Sequence, residues 1–213
     1  MEYVARTASN PFGLSPPCDR FVAGFGDVNA DFHVVGDHPG VHGGIESRVP
    51  FTDRPWSGRF FETLVEAGLL QRADLQADDV SFHRTFFSYL HMCDPGDDDP
   101  SEESYTLMEP FFDAELRAIT AHVLLPVGAK ATSHVLQSYT ARVPDDPPDM
   151  DALHAVEVLG SGWLVVPIKD PSEWTETDEE RLRKSIRSLE ETGYKQISDL
   201  GRFIAGSDPY LVR

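Results

Sequence analysis

The chain has 213 residues, of which 36 are acidic and 18 basic, so its net charge is −18. Such a surface opposes nonspecific adsorption to nucleic acid, because that binding depends on Lys and Arg displacing counterions from phosphates. The acidic residues are spread through loops and helix surfaces. This distribution favours a solvated coat suited to a high-salt cytoplasm, as in a halophile, over an acidic mimic that binds basic partners.

At this length one core suffices, and no repeat or long linker divides the chain, so we expect a single domain over residues 1–213. No apolar run approaches the ~20 residues that span a bilayer, and residues 1–6 lack the form of a secretion signal. We therefore expect a cytoplasmic protein. We also expect a monomer. Cys18 and Cys93 are too few for a disulfide framework, and we expect reduced thiols.

Four apolar runs, rich in β-branched and aromatic residues, have the length of buried strands. In chain order they cover residues 31–36, 81–91, 122–128 and 162–168. Segments with helical periodicity separate these runs. Alternating strands and helices imply parallel strands joined by right-handed crossovers. We therefore expect an α/β fold, a three-layer α/β/α sandwich around a four-stranded parallel sheet.

The first predicted helix covers residues 57–67, with Ser57 as its N-cap. The second begins at Pro110, since proline suits a first helical turn, and the third covers residues 129–137. The last opens with a capping box from Thr177 to Glu180. The inward positions recur at helical spacing: Phe60, Phe61, Leu64 and Val65, then Phe111, Phe112, Leu116 and Ile119, then Leu182, Ile186 and Leu189.

Two acidic stretches, residues 94–104 and 143–151, are predicted to be loops without structure of their own. The first does not match a calcium-binding EF-hand, which needs Gly at its sixth position and Glu at its twelfth. A third loop, residues 36–58, follows the first predicted strand and is rich in Gly and Pro. Ligands of open α/β sheets bind beyond the carboxyl ends of strands, so residues 36–58, here called the motif-one loop, are the first candidate site.

Four stretches, taken together, are similar to the motifs of one family. They are residues 26–40 (ending GDHPG), Pro50-Phe51 with Ser57-Gly58, residues 126–129 (PVGA) and residues 165–172 (VVPIKDPS). In this order and spacing the chain resembles the uracil-DNA glycosylase superfamily, nearest its iron-sulfur branches, over residues 9–191. The resemblance implies a DNA-repair enzyme that flips a damaged base out of the duplex and hydrolyses its N-glycosidic bond.

The resemblance also assigns roles to residues. Phe51 would stack on the base, although an ordinary core aromatic explains the same residue. The motif-one loop would contact the base and hold an activated water, and the second motif would stabilise the departing base anion. The substrate-binding residues implied are Gly36, Pro39, Gly40, His42, Phe51, Tyr89 and Ser172.

Several positions depart from the family pattern. Asp170 replaces the second-motif His, and an ionised carboxylate cannot donate a hydrogen bond to an anionic base. Tyr89 replaces the Asn that pairs with uracil in several branches, so uracil specificity does not carry over. In the first motif, Asp37 falls where iron-sulfur branches have Glu, and His38 falls where others have Asp or Asn.

These departures suggest that the two catalytic residue types have exchanged places. We expect Asp37, His38 and Asp170 to be catalytic, with His38 facing Asp170 across the pocket and a carboxylate raising the pKa of His38. A charged His38 could then stabilise the leaving base while a carboxylate orients the water. Alternatively, both positions drifted after activity was lost.

A metal or other cofactor is not expected. The four cluster-ligand positions of the iron-sulfur branches correspond to Ser9, Phe12, Cys93 and Met108, and one thiolate cannot hold a four-iron cluster. His38 and His42 are four residues apart but lie in a loop, where this spacing fixes no metal geometry. His42-Gly43-Gly44 also resembles the A-H-G of one iron-sulfur branch, which supports a pocket role for His42.

Arg48, Arg54, Arg59 and Lys169 lie in or beside the motifs, where they could contact DNA phosphates or simply pair with the surplus carboxylates. Two functions stay open. One is a glycosylase for uracil or another deaminated base, and the other is a catalytically impaired member that binds DNA or a protein partner through the same cleft. An esterase-like hydrolase is excluded, since Gly160-Ser161-Gly162 is not a G-x-S-x-G elbow.

Overall fold

The fold is built on a mixed seven-stranded sheet, seen in a computed structural model that describes residues 7–74, 79–192, 197–198 and 210–211. Residues 1–6, whose sequence lacks the form of a secretion signal, lie outside the described residues. The strands are β1 (Thr7–Ser9), β2 (Phe25–Asp27), β3 (Phe32–Gly36), β4 (Leu70–Asp74), β5 (Asp79–Phe82), β6 (Thr85–Tyr89), β7 (Val123–Pro126), β8 (Val158–Leu159), β9 (Leu164–Val165), β10 (Ile197–Ser198) and β11 (Tyr210–Leu211). The helices are α1 (Pro39–His42), α2 (Ser57–Glu66), α3 (Glu102–Ile119), α4 (Gly128–Tyr139), α5 (Met150–Leu153) and α6 (Glu176–Thr192).

The spatial order of the large sheet is β1-β2-β6-β3-β7-β9-β8. Its centre, β6-β3-β7-β9, is parallel throughout, which confirms the predicted four-stranded parallel sheet. Strands β2 and β8 join the two sides of this centre in antiparallel orientation, and β1 extends the sheet beyond β2. The pairs β4-β5 and β10-β11 form separate two-stranded sheets.

Helices cover both faces of the sheet, which confirms the three-layer sandwich. Side chains of a strand point alternately to opposite faces, so Phe32 and Val34 pack with α2 and α6, whereas Val35 packs with α3 and α4. The predicted inward positions Phe60, Leu182 and Ile186 are buried, as are most of the others. Phe111 and Val65 are only partly buried.

Four predictions about the elements and their boundaries were wrong. The apolar run 81–91 divides into β5 and β6, because Arg84 adopts a left-handed conformation (φ 57°) between them. The helix predicted from Pro110 begins eight residues earlier at Glu102, where Ser101 caps it by accepting from the Ser104 amide. Pro110 is exposed inside α3, where it costs one backbone hydrogen bond that the packing of the helix offsets. The acidic stretch 94–104 is therefore partly helical, and α5 begins within the stretch 143–151.

Two predicted caps were also wrong. Ser57 is the first residue of α2, and its hydroxyl donates to the Phe51 carbonyl (2.7 Å) instead of capping the helix. The capping box of α6 lies two residues earlier than predicted. The Thr175 amide donates to Asp178 Oδ2 (2.8 Å), and the Thr175 hydroxyl also bonds Asp178. α4 extends one residue earlier and two residues later than predicted.

The two cysteines are bonded to each other, so the prediction of reduced thiols was wrong. Cys18 and Cys93 form a disulfide across 75 residues of sequence, with their Cα atoms 6.2 Å apart. An antiparallel bridge between Phe21 and Cys93 brings the two segments together, which composition alone does not reveal. Within the described part of the chain, no helix has the length and apolar character needed to cross a membrane.

Candidate active site

The candidate site lies where the parallel strands end. The motif-one loop follows β3, and the segment 169–174, here called the motif-two loop, follows β9 beyond Ile168. Val127 and Ile168 form a parallel bridge, and the Gly128 amide donates to the Ile168 carbonyl (2.8 Å), which holds the second motif beside the start of α4. The topology therefore brings both motifs to the same edge of the sheet, as the sequence predicts.

The closest contact between the two motifs is made by His42 and Asp170. His42 Nε2 lies 3.4 Å from Asp170 Oδ2, and the imidazole is almost completely buried. The Asp37 backbone amide donates to His42 Nδ1 (3.0 Å), so the proton of a neutral ring must be on Nε2. Nε2 is itself buried and has no well-aligned hydrogen-bond partner among the described residues, so its proton lies beside the Asp170 carboxylate without forming an ideal hydrogen bond.

Asp170 is held as an ionised carboxylate. Burial alone would raise the pKa of Asp170, but the adjacent His42 imidazole and the hydrogen bonds from Ser172 outweigh burial and lower the pKa to about 2. The Ser172 amide (2.8 Å) and hydroxyl (2.6 Å) both donate to Oδ1. Since Oδ2 faces His42 and the side chain is 24% exposed, the negative charge is accessible to a bound molecule.

His38 does not face Asp170, and that expectation was wrong. Its Nε2 lies 4.0 Å from Asp37 Oδ2 and 3.8 Å from Asp99 Oδ1. His38 precedes Pro39, and the residue before a proline is held in an extended conformation, here φ −150° and ψ 163°. α1 begins after His38 and carries His42 to the side of Asp170. Burial lowers the pKa of His38, and Asp37 and Asp99 offset this only in part, so the expected rise of that pKa was also wrong.

Asp37 is fixed by groups from outside the motifs. The Tyr105 hydroxyl donates to Asp37 Oδ1, and the Asp37 carbonyl accepts from the His91 amide (3.0 Å). Sequence reasoning missed Tyr105, His91 and Asp99 as neighbours of the site. No motif marks them, because α3 and the acidic loop reach Asp37 only through the tertiary fold.

Phe51 is packed like a core aromatic. It is fully buried, and its ring centroid lies within 5.4 Å of the rings of Phe60, His42, Tyr89 and Phe87. The Tyr89 hydroxyl accepts from the Phe51 amide (2.8 Å) and donates to the Gly43 carbonyl (3.0 Å), so Tyr89 supports the motif-one loop from within. Stacking of Phe51 on a base stays a prediction and requires His42 to move.

Small residues allow the close packing around these rings. A Cβ on Gly36 would lie 2.6 Å from the Tyr89 ring and 2.8 Å from Phe51, and one on Gly40 would lie 2.8 Å from His38 Nδ1. Gly128 adopts φ +81°, and a Cβ there would lie 3.7 Å from His42 Nε2 and 3.8 Å from Asp170 Oδ2. Glycine therefore leaves space in front of the His42–Asp170 pair.

The basic residues near the motifs are mostly engaged within the protein. Arg54 donates to the Pro39 (3.1 Å) and Gly40 carbonyl oxygens. Arg59 pairs with Glu179 and lies over the Trp174 ring, and Lys169 Nζ lies 2.5 Å from Asp151 Oδ1. The exposed Arg48 donates to the Phe21 carbonyl (2.8 Å). Contact of Arg59 or Lys169 with a DNA phosphate would therefore require exchange of a carboxylate partner.

The residues at the four cluster-ligand positions do not fit an iron-sulfur cluster. Cys93 is consumed by the disulfide and its sulfur lies 3.6 Å from Met108 Sδ, while Ser9 and Phe12 offer no thiolate. Within the described residues, no group of three or more His, Cys, Asp or Glu side chains is placed to hold a metal ion.

The fold and the two motifs agree with a comparison against known families. Residues 23–190 match the model of the uracil DNA glycosylase superfamily, so the chain belongs to that superfamily. It is also similar to the Type-5 uracil-DNA glycosylase of Thermus thermophilus, with 27% identity over 133 residues. The match covers 62% of this chain and 61% of that protein, so the chain spans less than two thirds of the relative's length.

Proposed function

We propose that this protein is a monofunctional DNA glycosylase that hydrolyses the N-glycosidic bond of uracil or another deaminated base flipped out of DNA. The observation that carries the proposal is the contact between His42 and Asp170, which joins the two motifs in front of Gly128. Membership of the superfamily supports the reaction class.

The site supplies separate groups for the sugar, the water and the base. As the bond from C1′ to the base nitrogen breaks, its electron pair leaves with the base and positive charge develops on the deoxyribose. The ionised Asp170 stabilises that positive charge, and the Nε2–H of His42 donates to the base anion. This division overcomes the inability of Asp170 itself to donate.

The attacking water is assigned to Asp37 and His38. Oδ1 of Asp37 is occupied by Tyr105, so Oδ2 accepts the proton that water loses as its oxygen bonds to C1′. His38 lies beside Oδ2, and its imidazole helps to orient the water. Gly36, Pro39, Gly40 and Ser172 shape the two loops that enclose the base.

The rest of the proposal concerns the setting of the reaction. The enzyme acts as a monomer in the cytoplasm, without a cofactor, and its acidic surface suits high salt. DNA phosphates are contacted first by the exposed Arg48, whereas Arg54, Arg59 and Lys169 rearrange from their internal partners.

A second function is favoured by one observation, the complete burial of Phe51 under His42 and Tyr89. If this packing is permanent, no base can stack there. The protein would then be a non-catalytic member that binds DNA or a protein partner through the same cleft.

The test is incubation with labelled oligonucleotides containing uracil, hypoxanthine or xanthine at molar KCl, followed by alkaline cleavage of abasic sites. The matched controls are undamaged DNA and the double variant Asp37→Asn/Asp170→Asn, which keeps the shape of both side chains. We expect cleavage of at least one lesion by the natural protein alone. If no lesion is cleaved while the folded protein retains DNA on a filter, the second function is correct.

A further inference from the structure

A tyrosine from α3 reaches the first motif from the opposite layer of the fold. Tyr105 is half-buried, and its hydroxyl bonds Asp37 Oδ1. A carboxylate can only accept hydrogen bonds, so the tyrosine must donate. Burial and the neighbouring Asp37 carboxylate both raise the pKa of Tyr105 well above its ordinary value, so the phenol keeps its proton and remains a donor to Asp37.

Two side chains from other parts of the fold contact the Tyr105 ring. The His91 ring lies against it with centroids 5.4 Å apart, and Lys130 Nζ lies 4.6 Å from the ring centroid. His91 is itself fixed, since its Nε2 bonds the Ser104 hydroxyl (2.7 Å), whereas Lys130 pairs with the exposed Glu102 at the protein surface. The Tyr105 ring is therefore positioned by contacts from α3, α4 and the segment after β6, in addition to its bond to Asp37 of the motif-one loop.

Tyr105 also lies beside an open groove. A cavity of about 550 Å³ lies between α3, α4 and the acidic stretch near Asp146, and Tyr105 forms part of its wall together with Lys130 and His134. Asp37 is not among the residues that line it. Tyr105 thus contacts both this groove and the Asp37 carboxylate.

We propose that Tyr105 is a positioning residue for Asp37: by holding Oδ1 it fixes Oδ2 in the orientation that accepts the proton of the attacking water. This inference rests on the proposed glycosylase function. Without the phenol the carboxylate can rotate about its side-chain bond and lose alignment, and small misplacements of a reacting group lower rates by up to about 100-fold. In this role Tyr105 acts through Asp37 and not on the substrate, so substrate binding should change little.

The test compares the steady-state kinetics of Tyr105→Phe and Tyr139→Phe on an oligonucleotide with one lesion at molar KCl. Tyr139 is a matched control, because it is also half-buried and donates to a carboxylate (Asp113 Oδ1, 3.3 Å) in the same helical layer, away from the motifs. We expect Tyr105→Phe to lower kcat about 10- to 100-fold with KM nearly unchanged, and Tyr139→Phe to change neither.

A double-mutant cycle separates positioning from a merely structural role. If Tyr105 acts through Asp37, the variant Tyr105→Phe/Asp37→Asn should be no slower than Asp37→Asn alone. Losses that multiply would overturn the role of Tyr105 while leaving the glycosylase function intact. A natural protein without activity on any lesion would overturn the proposed function itself, and this role with it.

A milder variant covers the case in which Tyr105→Phe does not fold. Lys130→Gln removes the cation from the ring face but leaves the phenol, and it should lower kcat about twofold to fivefold with KM unchanged. An unchanged kcat in a folded Lys130→Gln protein would contradict the inference.

Discussion

The two faces of the central sheet are built differently. Toward α2 and α6 the strands present Phe32, Val34, Phe87 and Tyr89, and the Tyr89 hydroxyl both donates and accepts. Toward α3 and α4 the same strands present polar groups together with apolar ones. His33 Nε2 lies 2.7 Å from the Ser88 hydroxyl, and its Nδ1 has no hydrogen-bond partner within the described residues.

A buried acid adds to the polar character of this second face. Glu115 of α3 is fully buried; its Oε1 accepts from the Gly24 amide (2.8 Å), and Oε2 has no hydrogen-bond partner in the part of the chain that the structure describes. The aromatic face thus makes a rigid support for Phe51 and His42, and the polar face contributes Tyr105 to Asp37. The site is assembled along the line where these two layers meet.

The largest effect is expected from the aromatic face. Phe51→Ala should lower the free energy of unfolding by about 3–5 kcal/mol, because it leaves a cavity among Phe60, Phe87 and Tyr89. Urea denaturation at constant KCl measures this, with Phe12→Ala as the control, since Phe12 is 37% exposed. If Phe51→Ala is as mild as the control, Phe51 is not part of a rigid support and is free to stack on a base.

The polar face should give the protein a pH-dependent stability. Burial raises the pKa of Glu115 to about 8, with the Gly24 amide offsetting this in part. Between the ordinary value of 4.5 and pH 8 the unfolded chain loses this proton and the folded protein keeps it, so the free energy of unfolding falls as pH rises. By pH 7 the loss is on the order of 3 kcal/mol.

Glu115→Gln removes this titration. The Gln amide also places an unpaired group where Oε2 of Glu115 lies, which changes the absolute stability. The readout is therefore the slope of the free energy of unfolding against pH. We expect the free energy of unfolding of the variant, measured by urea denaturation, to rise steadily relative to that of the natural protein from pH 4.5 to pH 8. Parallel curves for the two proteins would show that Glu115 does not carry a proton in the folded state.

Where the faces meet, Asp170→Asn should lower the cleavage rate about 100-fold, equivalent to about 2.7 kcal/mol of transition-state stabilisation, because the negative charge is lost while the shape is kept. The control is Asp151→Asn, which removes a carboxylate that pairs with Lys169 on the protein surface. Equal rates for the two variants would contradict the role of Asp170.

The smallest effect concerns the rim of the site. Arg59 and Lys169 pair with carboxylates in the free protein, and the proposed function requires both of them, with Arg48 and Arg54, to reach DNA phosphates. The slope of log affinity against log KCl should then be about −4. A slope of about −2 in fluorescence anisotropy titrations would show that the two internal ion pairs stay closed on binding.

The sequence predicts the layers of the fold because β3 and β7 are continuous apolar runs of strand length and because α2 and α6 show clear helical periodicity. It does not predict the break at Arg84 or the early start of α3. Both depend on local backbone conformation and on capping by Ser101, which compete with the stronger signals of an apolar run and of Pro110.

For the site, the sequence correctly places both motifs at one edge of the sheet. It assigns His38 as the partner of Asp170, whereas the structure has His42 in that position. The pairing of Asp170 with His42 instead of His38 depends on the direction in which α1 turns after Pro39, and residue types do not encode that direction. The role of Tyr105 is harder still to predict from the sequence, since its contact with Asp37 spans 68 residues and joins two layers of the fold.

The Cys18–Cys93 disulfide divides the site topologically. It closes a covalent ring that contains β3, the motif-one loop and β6, whereas Asp170 and the whole motif-two loop lie outside the ring. The unfolded chain inside the ring has fewer conformations than the chain outside it. Half of the site thus lies within a covalent ring, whereas the motif-two loop is held by noncovalent contacts, among them the Lys169 amide to His154 Nδ1 (2.9 Å) and the Trp174 indole to the Lys169 carbonyl (2.7 Å). Reduction of the disulfide would therefore release the chain that carries the first motif and leave the covalent connection of the second motif unchanged.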